Sequence, residues 1–259
     1  MVTVMIGKDE TQYYLHSDVL KIIPYFRGVL NSDFQESKSV IIKLKEKVDS
    51  VAAFERIIEW LYLGNYNLEE MCHAGNMDLK FARRGWSAYE KATIEHIKVY
   101  LMASRLCAHQ IQELSLQKLR ALLILDTHTN LIGDWNTCFG MVELTYVNTP
   151  SPVKQEVQGV AREGSHSNAI EELSEDKGIE STQTESVESD DEMSCSSDHE
   201  QSQPGRPRRD PVRDLVARYF ASVIGIVKNE SGFSKLIRKF PEFSEDLLHQ
   251  VGDGPSLAS

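Results

Sequence analysis

The sequence predicts an α+β fold, with short strands gathered at the amino end and helices after them. Val2, Val4 and Ile6 alternate with their neighbours, the period of a strand. From Phe54 onward apolar residues recur at every third or fourth position, the period of a helix. Across 259 residues a 41% hydrophobic content is enough to bury a core.

The elements follow in order. After the first strand, Gly7-Lys8-Asp9-Glu10 supplies turn chemistry before a second strand near Gln12 to Leu15, so the pair reads as a β-hairpin. Ser17 is placed to cap a helix running through Ile23. Pro24 interrupts that helix because proline lacks an amide hydrogen and restricts the residue before it, yet it suits the first turn of a new helix. Val40 to Leu44 is rich in β-branched residues and reads as a third strand. Phe54, Ile57, Ile58, Leu61 and Tyr62 form one face of a helix that starts near Val51 and stops near Gly64. Residues 67 to 90 are polar and irregular and read as a loop. Helical spacing returns in Ile94, Ile97 and Leu101, then in Ile111, Leu114, Leu119, Leu122 and Leu123, with a short break around His109; Trp135 to Tyr146 adds a further helix.

The next segment differs in kind. No Phe, Trp or Tyr occurs from Val147 through Arg218. Between Ser151 and Gly205, 14 acidic residues stand against Lys154, Arg162 and Lys177, a net of −11 that equals the charge of the whole chain. Such a stretch buries too little surface to offset about 1–2 kcal/mol of backbone entropy per residue, so it is expected to be disordered. Order resumes at Asp210-Pro211, where Asp suits a cap and Pro the first helical position. Leu215, Val216, Tyr219, Phe220, Val223 and Ile224 make an apolar stripe, and Phe233, Leu236, Ile237, Phe240, Leu247 and Leu248 continue it. Helices this short with two apolar faces are expected to pack back on the preceding helices.

The rest of the chain is balanced, 25 basic residues against 25 acidic, which gives no long-range attraction to phosphates; nucleic acid is not an expected partner. Cys72, Cys107, Cys138 and Cys195 are scattered without a CxxC pair, so neither a disulfide framework nor a zinc knuckle is expected. No secretory leader precedes Val2 and no apolar run approaches the roughly 18 residues of a membrane helix, so no membrane role is expected. A cytoplasmic or nuclear location follows as the expectation. Cys72-His73 and Cys107-x-His109 hold metal-ligand residue types but lack converging partners. Neither a glycine-framed nucleophile turn nor a phosphate-cradling loop is present. Enzymatic activity, a cofactor and a bound metal are therefore not expected.

One ordered constellation runs through the amino-terminal half: Tyr13-x-x-His16-x-x-x-Leu20, Pro24-Tyr25-Phe26, Phe34-Gln35-Glu36-Ser37, Ile42-x-Leu44, Phe54, and Leu61-Tyr62-x-Gly64-x-Tyr66, continued by His96-x-x-Val99-Tyr100-x-x-Ala103. It resembles the BTB/POZ domain. The carboxyl-terminal Arg213-Asp214-Leu215-Val216-Ala217-x-Tyr219, Pro241-Glu242-Phe243 and Asp246-Leu247-Leu248 are similar to fungal BTB proteins of this size. Two positions depart from the pattern. Met1 replaces the acidic residue that opens the first strand, and Ile23 replaces the serine before Pro-Tyr-Phe, which removes a cap worth about 1 kcal/mol.

The resemblance implies a small mixed sheet packed against a helical bundle, with a carboxyl-terminal helical extension. Its expected layout is a BTB/POZ domain over 1–125, an added helical segment over 126–149, an acidic disordered linker over 150–209, a helical region over 210–252 that packs back on the first domain, and a disordered tail over 253–259. It also implies protein–protein interaction. Phe34-x-Glu36 matches the hydrophobic-x-Glu element that helps ligase adaptors engage a cullin scaffold; Phe34, Glu36 and the neighbouring helical surface with Tyr62 are the expected partner-binding residues. His16 is expected to fix the strand-to-helix corner through a hydrogen bond. The chain is thus expected to be a substrate adaptor for a cullin-type ubiquitin ligase or, alternatively, a self-associating scaffold or transcription-related regulator without a ubiquitin link. Because the sequence starts almost at its first core strand, a strand-swapped dimer is disfavoured, while a homodimer through a helical face stays open. Ser186 and Ser189 lie among carboxylates in Ser186-Val187-Glu188-Ser189-Asp190-Asp191-Glu192, which acid-directed kinases favour, and are the expected phosphorylation sites.

Overall fold

The computed structural model describes residues 1–31, 41–44, 50–68, 79–129, 135–149 and 209–253; for 79–88, 128–129 and 253 it describes the backbone alone. Of the linker expected over 150–209 and the tail expected over 253–259, residues 150–208 and 254–259 lie outside the described residues.

β1 (Val2–Ile6) and β2 (Thr11–Leu15) form an antiparallel hairpin, with Val2 opposite Leu15 and Ile6 opposite Thr11. Its turn needs a left-handed residue at each end, Gly7 at φ 71° and Glu10 at φ 50°. β3 (Ile41–Leu44) runs parallel to β1 on the other side, so the order is β2-β1-β3 and the sheet is mixed. The period of two sends Val2, Val4, Ile6, Leu15, Ile42 and Leu44 to one face, all buried. The chain is α+β, as the sequence predicts.

Helices close over that face. α1 (Ser17–Leu20) is shorter than expected, and Ser17 does not cap it: His16 holds the cap position without a side-chain bond. Residues 22 and 23 bond back to Val19 and Leu20 as a tight turn, because Pro24 disfavours helical geometry at the residue before it. α2 (Pro24–Asn31) then starts afresh. The missing oxygen at Ile23 is made good from another helix, since the Leu106 carbonyl accepts from the Tyr25 amide at 3.3 Å, and Ile23 itself is fully buried. α3 (Val51–Leu63) is capped by the Ser50 hydroxyl, which accepts from the Ala53 amide, and ends at Gly64, φ 70°, whose amide donates to the Trp60 carbonyl.

α4 (Leu79–Arg105) corrects the expected loop over 67–90. Its first turns do carry Leu79, Ala82, Trp86 and Tyr89 at helical spacing, but Arg83, Arg84 and the weak helix former Gly85 interrupt that pattern in the sequence. At 27 residues it is about 40 Å long. It breaks at Leu106-Cys107-Ala108, with Cys107 at φ 56°, before α5 (His109–Thr129), and α6 (Trp135–Asn148) follows.

Two apolar cores meet on α4. Val99, Met102, Ala103 and Leu106 join the sheet, α1, α2 and α3, including Phe26, Phe54 and Ile57. Ile97, Tyr100 and Leu101 join α5, α6 and the carboxyl-terminal helices. Those helices are α7 (Pro211–Ser222), α8 (Ile224–Val227), α9 (Phe233–Lys239) and α10 (Pro241–Asp253); the last takes in Asp253, which the sequence reading assigned to the tail. Asp210 caps α7 by accepting from the Val212 amide and also accepts from the Tyr100 hydroxyl of α4, both at 3.0 Å.

A polar seam ties α6, α7 and α10. Arg213 is 2% exposed. Its Nε donates to Thr149 Oγ1, one terminal nitrogen donates to the Thr149 carbonyl at 2.8 Å, and the other meets Glu242 at 2.8 Å. Its guanidinium lies 4.5 Å over the Tyr146 ring, and the Tyr146 hydroxyl donates to Asp246, which also pairs with Arg209 at 3.1 Å. Removing a saturated buried cation leaves several acceptors without donors. Arg213→Ala is therefore expected to lower the unfolding free energy by about 3 kcal/mol in urea titration, and Glu242→Gln, at a side chain that is itself 37% exposed, by clearly less.

Candidate functional site

His16 closes β2 and Tyr62 lies in the last turn of α3, 46 positions later. Their side chains meet: His16 Nδ1 and the Tyr62 hydroxyl are 2.9 Å apart, and the His16 amide also donates to that hydroxyl at 3.4 Å. The hydrogen bond expected of His16 at the strand-to-helix corner has a partner the sequence did not name. Tyr62 was read as part of the apolar face of its helix. The structure corrects this, since Phe54 and Ile57 are buried whereas Tyr62 is 45% exposed and Leu63, next to it, 76%.

The corner is an exposed apolar surface with little freedom. The Tyr62 ring is held by its hydroxyl, and α3 beneath it is anchored through Phe54, which packs edge-on against both Tyr13 and Phe26. Tyr13 in turn donates to Glu55 at 2.9 Å; burial and the neighbouring Glu55 carboxylate push its phenol up to about 12, so it remains a donor. A fixed aromatic loses little side-chain entropy when a partner covers it. Phe34 and Glu36, the other expected partner-binding residues, lie outside the described residues, as do Ser186, Ser189 and the Cys72-His73 pair.

Behind the corner, Tyr66 and His96 form a buried pair, with the Tyr66 hydroxyl 2.7 Å from His96 Nδ1. Lys118 places its amine 5.1 Å over the Tyr66 ring. Burial, with the Lys118 charge, pushes the imidazole down to about 3, so the ring is neutral at physiological pH. Burial and Glu95 raise the Tyr66 phenol. Both side chains are structural: His96 is 5% exposed and Tyr66 1%.

Among the described residues no group of three or more His, Cys, Asp or Glu is arranged to hold a metal ion, and no helix is long and apolar enough to cross a membrane. Comparison with protein-family models, curated proteins and solved structures returned no match.

Sequence reasoning missed the His16–Tyr62 pairing because nothing local links positions so far apart. A signal for Tyr62 was present, since Phe54, Ile57, Ile58 and Leu61 already fill a helical face and Tyr62 falls at its edge.

The His96 environment sets a pH dependence. An imidazole that titrates near 6.5 when unfolded and near 3 when folded binds its proton mainly in the unfolded chain, so its stabilising effect is full above about pH 6.5 and declines as pH falls. Between pH 7 and pH 5 the native protein is expected to lose about 2 kcal/mol more stability than His96→Gln, read from urea unfolding at both pH values. Equal losses would remove the buried neutral imidazole from the account.

Proposed function

We propose that the chain is a protein-docking module of BTB/POZ type that serves as a substrate adaptor for a cullin-type ubiquitin ligase in the cytoplasm or nucleus. The observation that carries this reading is Tyr62, which is half-exposed beside Leu63 and held in one orientation by His16. Partner-binding energy concentrates in residues of this kind, large aromatics that are placed before the partner arrives. Phe34 and Glu36 enter from the sequence resemblance alone, as the pair that would fill a scaffold pocket and fix its orientation. The partner is a protein, since the charge-balanced part of the chain has no long-range pull on nucleic acid.

The second reading, a self-associating scaffold or transcription-related regulator, is favoured by a different surface. On the outer face of the sheet, Tyr14, Thr3 and Ile41 stand in one row across all three strands, with Tyr14 63% and Ile41 39% exposed. This face is distinct from the helical one expected for a homodimer.

Capture of a purified cullin amino-terminal domain separates the two readings. The native chain is expected to bind, and Phe34→Ala, Glu36→Ala and Tyr62→Ala each to weaken binding about tenfold or more while circular dichroism stays unchanged. Absence of capture by the native chain, together with concentration-dependent sedimentation, would replace the adaptor with the scaffold.

A further inference from the structure

The carboxyl-terminal helices carry a second surface of opposite character. Residues 224 to 239 include Lys228, Lys235, Arg238 and Lys239 against Glu230, and all four cations are exposed. In a chain of net charge −11 this is a local reversal of sign. Two of them, Lys235 and Lys239, border a cleft of about 290 Å³ between α6 and α9, lined also by Asn136, Phe139, Gly140, Glu143, Gly232 and Leu236.

One glycine shapes the cleft. A Cβ at Gly232 would overlap the Phe139 ring, so bare backbone lies directly against the aromatic and closes the floor. The hollow is therefore apolar at its base, through Phe139 and Leu236, and carries Lys235, Lys239 and Glu143 at its mouth. Lys235 makes no ion pair among the described residues. Lys239 meets Glu143 at 2.7 Å, but both side chains are about half exposed, 57% and 48%, and a pair so open to water is weak. An incoming carboxylate can take the place of Glu143 at small cost.

We propose that this cleft binds an acidic peptide segment of a partner, with one apolar side chain seated on Phe139 and Leu236 and flanking carboxylates paired with Lys235 and Lys239. Charge complementarity with Lys235 and Lys239 selects the occupant, and the apolar base of Phe139 and Leu236 calls for a side chain that a bare run of phosphates lacks. The proposal does not depend on whether a cullin is bound elsewhere.

The test is fluorescence anisotropy with the full chain and a labelled peptide, Asp-Asp-Glu-Leu-Glu-Asp-Asp. Saturable binding is expected that weakens as salt rises, by screening. Lys235→Glu and Lys239→Glu are each expected to weaken it about tenfold, a peptide with Ser in place of Leu to bind about tenfold more weakly, and Lys228→Glu, a lysine outside the cleft, to change it less than about twofold. All three lysines are exposed, and unchanged thermal unfolding confirms that the variants fold. No saturable binding, equal effects at Lys228 and Lys235, or equal displacement by an oligouridylate of the same charge would each overturn the proposal.

Discussion

The carboxyl-terminal half of the structure depends on a single buried guanidinium. A cation removed from water is tolerated only when its donors and its charge are satisfied together, and Arg213 meets that condition with groups from two places in the sequence: Tyr146 and Thr149 at the end of α6, and Glu242 at the start of α10. The geometry is selective because the planar fork needs several acceptors at fixed angles, which a lysine amine could not engage in the same way. Around it, Asp246 accepts from Tyr146 and pairs with Arg209, while Gln250 donates to Asp214. Thr149 and Arg209, the described residues on either side of 150–208, both contribute to this seam.

α4 gives the same unit its continuity. Near its carboxyl end one side faces the sheet core through Val99, Met102 and Ala103, and the other faces the helical core through Ile97, Tyr100 and Leu101. A helix that is apolar all round is buried all round, and here it serves as the shared wall of two cores. The Leu106 carbonyl at its end accepts from the Tyr25 amide, so the same element also caps α2. Close packing on both sides makes sliding of one core past the other costly, because interiors this dense have discrete rather than continuous arrangements.

The local chemistry was legible in the sequence, and the long-range chemistry was not. Gly64, Pro24 and Asp210-Pro211 each act within a few residues, and each does in the structure what its residue type dictates: a left-handed stop, a fresh helical start, a capped entry. The alternation of Val2, Val4 and Ile6 likewise needed only a period of two. The first turns of α4 failed because Arg83, Arg84 and Gly85 break up the helical spacing of Leu79, Ala82, Trp86 and Tyr89. Ser17 failed because the helix starts one residue earlier than expected, with His16 at the cap position and Ser17 as its first residue. Arg213 is the instructive case. It shares a helical face with Val216, Ala217 and Phe220, all buried, so its burial was implied by spacing; its partners, 29 and 64 positions away, were not.

The two surfaces differ in the physics by which they would recognise a partner, and that difference bears on how a small chain can serve two partners at once. At the Tyr62 corner the contribution is apolar burial around a fixed ring, which salt hardly alters. At the Phe139–Lys235 cleft it is an apolar anchor joined to exposed charge, which steers encounter and weakens as ionic strength rises. A chain that holds one protein in a set position relative to another needs both surfaces on a body that does not bend between them. The first is carried by α3, which packs on α4; the second by α6 and α9, and α6 packs on α4 too and is locked to α7 and α10 by Arg213. Softening the Arg213 seam would leave the Tyr62 corner intact while freeing the cleft, so the seam is the element on which fixed geometry between the two surfaces rests.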